Sequence, residues 1–119
     1  EELTRFIETV GNPNVKLYFD TQNYYFFYKL YTPDLIPALM PYICEVHVKD
    51  GRRDDLSPAG ALLGEGDSDF FATIEALKKH NYQGWLVSEN FYDHGPISSI
   101  AEDSVELMRR DLKTLQELF

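Results

Sequence analysis

Three short runs of β-branched and aromatic residues constrain this chain more than anything else in it: VKLYFD (15–20), CEVHVK (44–49) and GWLVSE (84–89). Each has the composition of a β-strand, and no tight hairpin turn links one to the next. What lies between them reads as loop and helix. From Phe70 the residues Phe70, Phe71, Ile74 and Leu77 recur at helical spacing, with Asp67 or Ser68 placed to cap. A last helix is predicted over 102–119, with Val105, Met108, Leu112, Leu115 and Phe119 as its buried stripe. At the front, 1–10 reads as the end of a helix with Leu3, Phe6, Ile7 and Val10 on one face, stopped by GNPN. The segment 21–42 is read as an aromatic loop, then a helix starting near Thr32 with Pro33 at its first position and weakened by Pro37. Strands separated by helices, without hairpins, run parallel, so the fold class is α/β built from repeated βα units.

In such folds the carboxyl ends of the strands carry the chemistry. Here the three runs finish near Asp20, His47 and Glu89, all residue types that hold metals or move protons. Alternation puts Lys16, Tyr18 and Asp20 on one face, with Glu45, His47 and Lys49, and with Trp85, Val87 and Glu89. The opposite faces, Val15, Leu17 and Phe19 and then Cys44, Val46 and Val48, are apolar and suited to lie under helices. Taken singly, each polar residue has a plainer use: Asp20 in turn chemistry, His47 as a satisfied core histidine, Glu89 as a strand end. Taken together at matched positions they favour a metal site. Carboxylate and imidazole ligands suit a divalent ion such as Mn²⁺, Mg²⁺, Co²⁺ or Zn²⁺, and the lack of thiolate partners argues against a closed structural zinc site. His80, near a helix C-terminus, reads as a favourable partner for the helix dipole, and His94 as a loop residue.

Composition narrows the partners. Twenty acidic against eleven basic side chains give a net charge of −9, which opposes nucleic acid and anionic membrane, and Lys49, Arg52 and Arg53 form only a short basic cluster. One cysteine, Cys44, excludes a disulfide framework and suits a reducing, cytoplasmic setting. No run approaches the roughly 20 apolar residues of a membrane span.

VKLYFDTQN, ICEVHVKDG, LLGEGDSDFFATIEALKKHNYQGWLVSEN and the closing SVELMRRDL together resemble the xylose isomerase-like TIM barrels, the superfamily of sugar phosphate isomerases and epimerases. The GEG turn before an apolar helix, followed by the YxGW step into a strand ending in Glu, is the most specific part. The resemblance spans essentially the whole chain. It implies that 1–119 is one partial domain, the last three βα units of a (β/α)8 barrel, preceded by the end of a helix at 1–10. It places Asp20, His47 and Glu89 on three of the family's four metal positions; the fourth, a glutamate, belongs to the strand before this chain begins. Where many relatives have DxxH with a substrate-binding histidine, this sequence has Asn23, and Arg53 matches a substrate-binding arginine of the ketose epimerases. Lys49 falls among the substrate contacts.

The implied activity is a divalent-metal-dependent isomerase or epimerase acting on a ketose or related keto-sugar. Glu89 would serve as ligand and catalytic base, and the intermediate would be an enediolate. A keto-sugar or inosose dehydratase or lyase of the same fold uses nearly the same chemistry, and an abasic-site endonuclease fits the acidic charge poorly. A closed barrel takes about 250 residues. The chain is therefore expected to be a C-terminal fragment, by itself catalytically inert, whose open edges are covered by self-association or by the remainder of the barrel.

Overall fold

The computed structural model describes residues 2–53, 59–93, 95–100 and 103–119. Helix α1 (Glu2–Val10) leads to strand β1 (Leu17–Asp20), helix α2 (Asn23–Tyr28), a broken helical stretch around α3 (Ile36–Leu39), strand β2 (Ile43–Val48), helix α4 (Phe70–Lys79), strand β3 (Trp85–Ser88) and helix α5 (Ser104–Leu118). The strands form one parallel sheet in the order β1-β2-β3, as the missing hairpins predict. Tyr18 is level with Glu45, Asp20 with His47, and His47 with Val87.

One face of this sheet is covered. Phe19, Val46 and Val48 pack with Ile36 and Leu39 and with Phe70, Ile74 and Leu77 of α4, all buried. Removing such groups from water stabilises by about 1.5–3 kcal/mol per side chain. A second cluster, Leu62, Tyr92, Ile97 and Leu107, sits under α5. The opposite face is open: Tyr18 is exposed and Trp85, at 78%, is more so. Cys44, expected on the covered face, is exposed near the start of β2, its thiol 3.5 Å from the Leu17 carbonyl of the neighbouring strand.

Two motifs acquire physical causes. Asp50, fully buried, accepts hydrogen bonds from the backbone N–H of Gly51, Gly64, Gly66 and Ser68 and from the Ser68 hydroxyl. The GEG turn therefore folds around one carboxylate. A Cβ at Gly66 would lie 2.3 Å from Asp50 Oδ1, so no larger residue fits. In YQGW, a Cβ at Gly84 would lie 2.3 Å from the Tyr82 hydroxyl, which donates to the Trp85 carbonyl at 2.9 Å and fixes the entry into β3.

Several expectations need correction. The aromatic stretch after Asp20 is helical over Asn23–Tyr28, because Asp20 Oδ1 accepts from the N–H of Gln22 and Asn23 at 2.8 and 2.6 Å, and Lys29 ends the helix at φ 58°. At Pro33 and Pro41 the chain forms 3-10 turns, Thr32–Leu35 and Met40–Tyr42, either side of a four-residue α3 that holds Pro37 in its first turn. Neither Asp67 nor Ser68 caps α4. Ser68 gives its hydroxyl to Asp50, Asp67 accepts from the Arg53 N–H, and Asp69 takes the cap position at φ 56° without a side-chain bond.

The apolar stripes also differ. In α1 only Ile7 is buried, and Leu3, Phe6 and Val10 are exposed; Phe71 of α4 is exposed as well. In α5, capped by Asp103, Val105, Met108, Leu112 and Phe119 are exposed. The face turned inward carries Leu107 and Asp111, with Leu115 and Leu118 packed against the main core. Asp111 accepts from the Leu63 N–H, the Asn90 amide and the Tyr92 hydroxyl at 2.8, 2.6 and 2.8 Å, which lets a charged residue occupy a buried helix position. His80 stands at the C-terminal cap of α4, as the dipole reading expects. His94 lies outside the described residues.

Candidate metal centre at the strand ends

The backbone ladder continues past the ends of β1 and β3. Thr21 N–H donates to the His47 carbonyl at 3.1 Å and Glu89 N–H to the Val48 carbonyl at 3.0 Å. Asp20 is level with His47, Glu89 lies two residues beyond Val87, the partner of His47 on β3, and a ligand atom from each of the three lies within 4.8 Å of the others. The sequence reading brought these three together from strand ends alone, and the fold does the same.

Asp20 performs both tasks that its position suggests. Its Oδ1 is used by the N–H groups that start α2, and its Oδ2 is turned to the cluster. Lys49, its side chain only 4% exposed, reaches between the carboxylates, with Nζ 2.7 Å from Glu89 Oε2 and 2.9 Å from Asp20 Oδ2. The first contact is a hydrogen bond; the second approaches off the hydrogen-bond direction, and Asp20 Oδ2 has no hydrogen-bond partner. The Thr21 hydroxyl donates to the Lys49 carbonyl at 2.7 Å and accepts from its N–H at 3.1 Å, clamping that backbone.

His47 lies flat against Tyr18, ring centres 4.9 Å apart and planes at 25°. Its Nε2 meets Glu45 Oε1 at 2.9 Å, and its Nδ1 faces Glu89 Oε2 at 3.3 Å. Nδ1 is buried and makes no hydrogen bond.

Burial raises the Asp20 carboxyl above its ordinary value by more than the Lys49 charge and the two N–H donors lower it. For Glu89, burial pushes upward, but the hydrogen bond and charge of Lys49, with His47 adding to them, bring it below the ordinary value. Burial would lower Lys49; the Glu89 bond and the Asp20 charge outweigh it, and the ammonium is held more firmly protonated.

Two of the three candidate ligand atoms, Asp20 Oδ2 and His47 Nδ1, are thus buried polar atoms without hydrogen bonds. Asp20 Oδ2 meets Lys49 by charge alone and His47 Nδ1 has only the 3.3 Å approach of Glu89, and a divalent cation is a partner that an oxygen, an imidazole nitrogen and a second carboxylate would share. The residues fit the ion that the sequence implies.

Other expected site residues are placed less centrally. Asn23 opens α2 beside Asp20, with a buried Oδ1 that has no hydrogen-bond partner. Arg53 is exposed, its guanidinium 4.9 Å over the Tyr25 ring, and its described contacts do not include Asp20, His47 or Glu89. Sequence reasoning missed Thr21, Glu45 and Tyr18 as site residues. Period-2 spacing had already put Tyr18 and Glu45 on the His47 face.

The family model for the xylose isomerase-like TIM barrel matches residues 1–115. A D-allulose 3-epimerase from Methylomonas sp. superposes with a TM-score of 0.77 at 21% identity, covering 99% of this chain and 42% of that one. The same enzyme in complex with D-allulose gives 0.78, again at 21% identity, 99% and 42%. A xylose isomerase domain protein from Planctomyces limnophilus gives 0.72 at 22% identity, covering 98% of this chain and 40% of that one. The chain therefore spans about two fifths of the length of these structures. No curated protein matches its sequence. Its three parallel strands and their helices correspond to part of a TIM barrel, and the chain belongs to the xylose isomerase-like TIM barrel family.

Proposed function

We propose that this chain supplies the metal-binding strand ends of a divalent-metal-dependent sugar isomerase or epimerase that works by proton transfer next to a carbonyl. The convergence of Asp20, His47 and Glu89, with two ligand atoms left without hydrogen bonds, carries this reading. Asp20 Oδ2, His47 Nδ1 and a Glu89 oxygen would hold the ion. Bound there, a Mn²⁺, Mg²⁺, Co²⁺ or Zn²⁺ would polarise the carbonyl and hydroxyl oxygens of a ketose and make the adjacent C–H more acidic.

The protein's own groups do the rest. Glu89, held ionised by Lys49, takes the proton from carbon to give an enediolate, and its return to either carbon or face decides between isomerisation and epimerisation. The Lys49 ammonium donates one N–H to Glu89 and lies beside Asp20 Oδ2 as an ion pair, and it offers a further N–H to a substrate oxygen. Asn23 offers its free Oδ1 to a substrate hydroxyl, and Arg53 approaches from the loop after β2. Likeness to an epimerase solved with D-allulose supports a sugar as substrate. Replacing His47 by Ala should abolish metal-dependent turnover of ketoses; full activity in that variant would sink the reading. Elimination of water from a keto-sugar begins with the same proton transfer, and product analysis separates it.

A second reading is favoured by the open sheet face: the chain acts as a non-catalytic module whose exposed Tyr18, Trp85 and α5 row are covered by a second copy or by the rest of a barrel. Calorimetric titration with Mn²⁺ discriminates, since a single tight site supports catalysis and no binding supports the module. Sedimentation velocity then tells a dimer from a monomer. Among the described residues no helix is long and apolar enough to cross a membrane.

A further inference from the structure

We infer that Glu45 is the residue that sets His47 for metal binding, by fixing which ring nitrogen carries the proton; this rests on the metal site proposed above. Glu45 and His47 are two residues apart on β2 and share its open face. A neutral imidazole has one N–H and one lone pair, at opposite edges of the ring. Carboxylates stand at both edges here, Glu45 at Nε2 and Glu89 at Nδ1, and each would accept that single proton.

Geometry gives it to Glu45. The Nε2 contact is a hydrogen bond of 2.9 Å, whereas Nδ1 stands 3.3 Å from Glu89 without one. With hydrogen on Nε2, the Nδ1 lone pair is left free on the Glu89 side of the ring, as a ligand needs. Tyr18, stacked on the ring, restrains its tilt and leaves Glu45 to fix rotation in the plane. A carboxylate behind a ligating histidine also makes the imidazole a stronger donor. Without Glu45, Glu89 would draw the proton to Nδ1 and close that ligand position.

The test compares the unsubstituted protein with Glu45→Ala and Glu45→Gln, by calorimetric titration with Mn²⁺ and by nitrogen-15 NMR of His47 in the metal-free state. Glu45→Ala should weaken Mn²⁺ binding about 10–100-fold and move His47 toward the Nδ1–H tautomer. Glu45→Gln lacks the charge but still offers an oxygen to Nε2–H, so it should keep the tautomer and recover most of the affinity. Unchanged affinity in Glu45→Ala overturns the inference, as does an Nδ1–H tautomer in the unsubstituted protein. Equal weakening by Gln and Ala with no change of tautomer would also overturn it, since Glu45 would then act only through its charge. If the unsubstituted protein takes up no Mn²⁺, the metal reading fails instead, and the NMR comparison still decides the role of Glu45.

Discussion

Replacing Lys49 by Met removes an ammonium while keeping most of the side-chain volume, and its cost follows from the two carboxylates left behind. The leg to Asp20 is buried at both ends, side chains 4% and 6% exposed; Glu89, at 40%, is open to water. Removing one partner of a buried pair costs about 3–5 kcal/mol. An exposed leg adds only about 0–1 kcal/mol. Because Asp20 keeps its two N–H donors, the low end applies, about 3 kcal/mol. With a urea slope near 2 kcal/mol/M, the unfolding midpoint in EDTA should fall by about 1.5 M. Added Mn²⁺ should reverse much of this, because the cation neutralises the charges that Lys49 no longer meets. Stabilisation by a ligand at 100 times its Kd is about 2.7 kcal/mol, and the variant, with tighter binding, should gain more than the unsubstituted protein at equal Mn²⁺. Adding Asp20→Asn should recover stability in EDTA and abolish the metal response. A loss below about 1 kcal/mol, or equal metal stabilisation in both proteins, would refute the reasoning.

Three further outcomes follow from the same geometry. Gly66→Ala drives a methyl into the Asp50 carboxylate and should lower stability by about 1–3 kcal/mol in denaturant titration, whereas Gly95→Ala, with nothing within 4 Å, should cost only the strain of its φ of +72°. Asp111→Ala leaves the Leu63 N–H and the Asn90 amide without acceptors and should cost about 2–4 kcal/mol by the same assay. Burial pushes the Tyr82 hydroxyl up to about 12, above its ordinary 10. The folded state therefore keeps that proton longer than the unfolded chain does. The contribution is fully present below pH 10 and lost as pH rises to about 12, roughly 3 kcal/mol at most. Tyr82→Phe should flatten stability over that interval relative to the unsubstituted protein; parallel curves would contradict it.

Strand positions and the three ligand candidates were legible because period-2 alternation and parallel βα order act locally and over short repeats. Apolar VKLYF and CEVHV left few choices of face, and a strand end is a fixed place in such a sheet. The inward side of α5 was not legible. Asp111 looks like a solvent residue until Leu63, Asn90 and Tyr92 are brought to it, and those partners lie 19 to 48 residues away. Ser68 likewise has the composition of a cap, but a buried carboxylate 18 residues earlier takes its hydroxyl. Helix α2 depends on Asp20 turning one oxygen backward, a choice of rotamer that a run of aromatics does not reveal.

The sequence holds one tryptophan, and the fold sets it on the uncovered face of β3, level with Glu45 on the neighbouring strand. Its indole is therefore an optical gauge of what touches that face. Emission from Trp85 should be that of a hydrated ring while the sheet is open. It should move to shorter wavelength when any protein surface closes over the strands, and respond little to events on the helical side. One fluorophore, already in place, distinguishes closure of the sheet from tightening of the core.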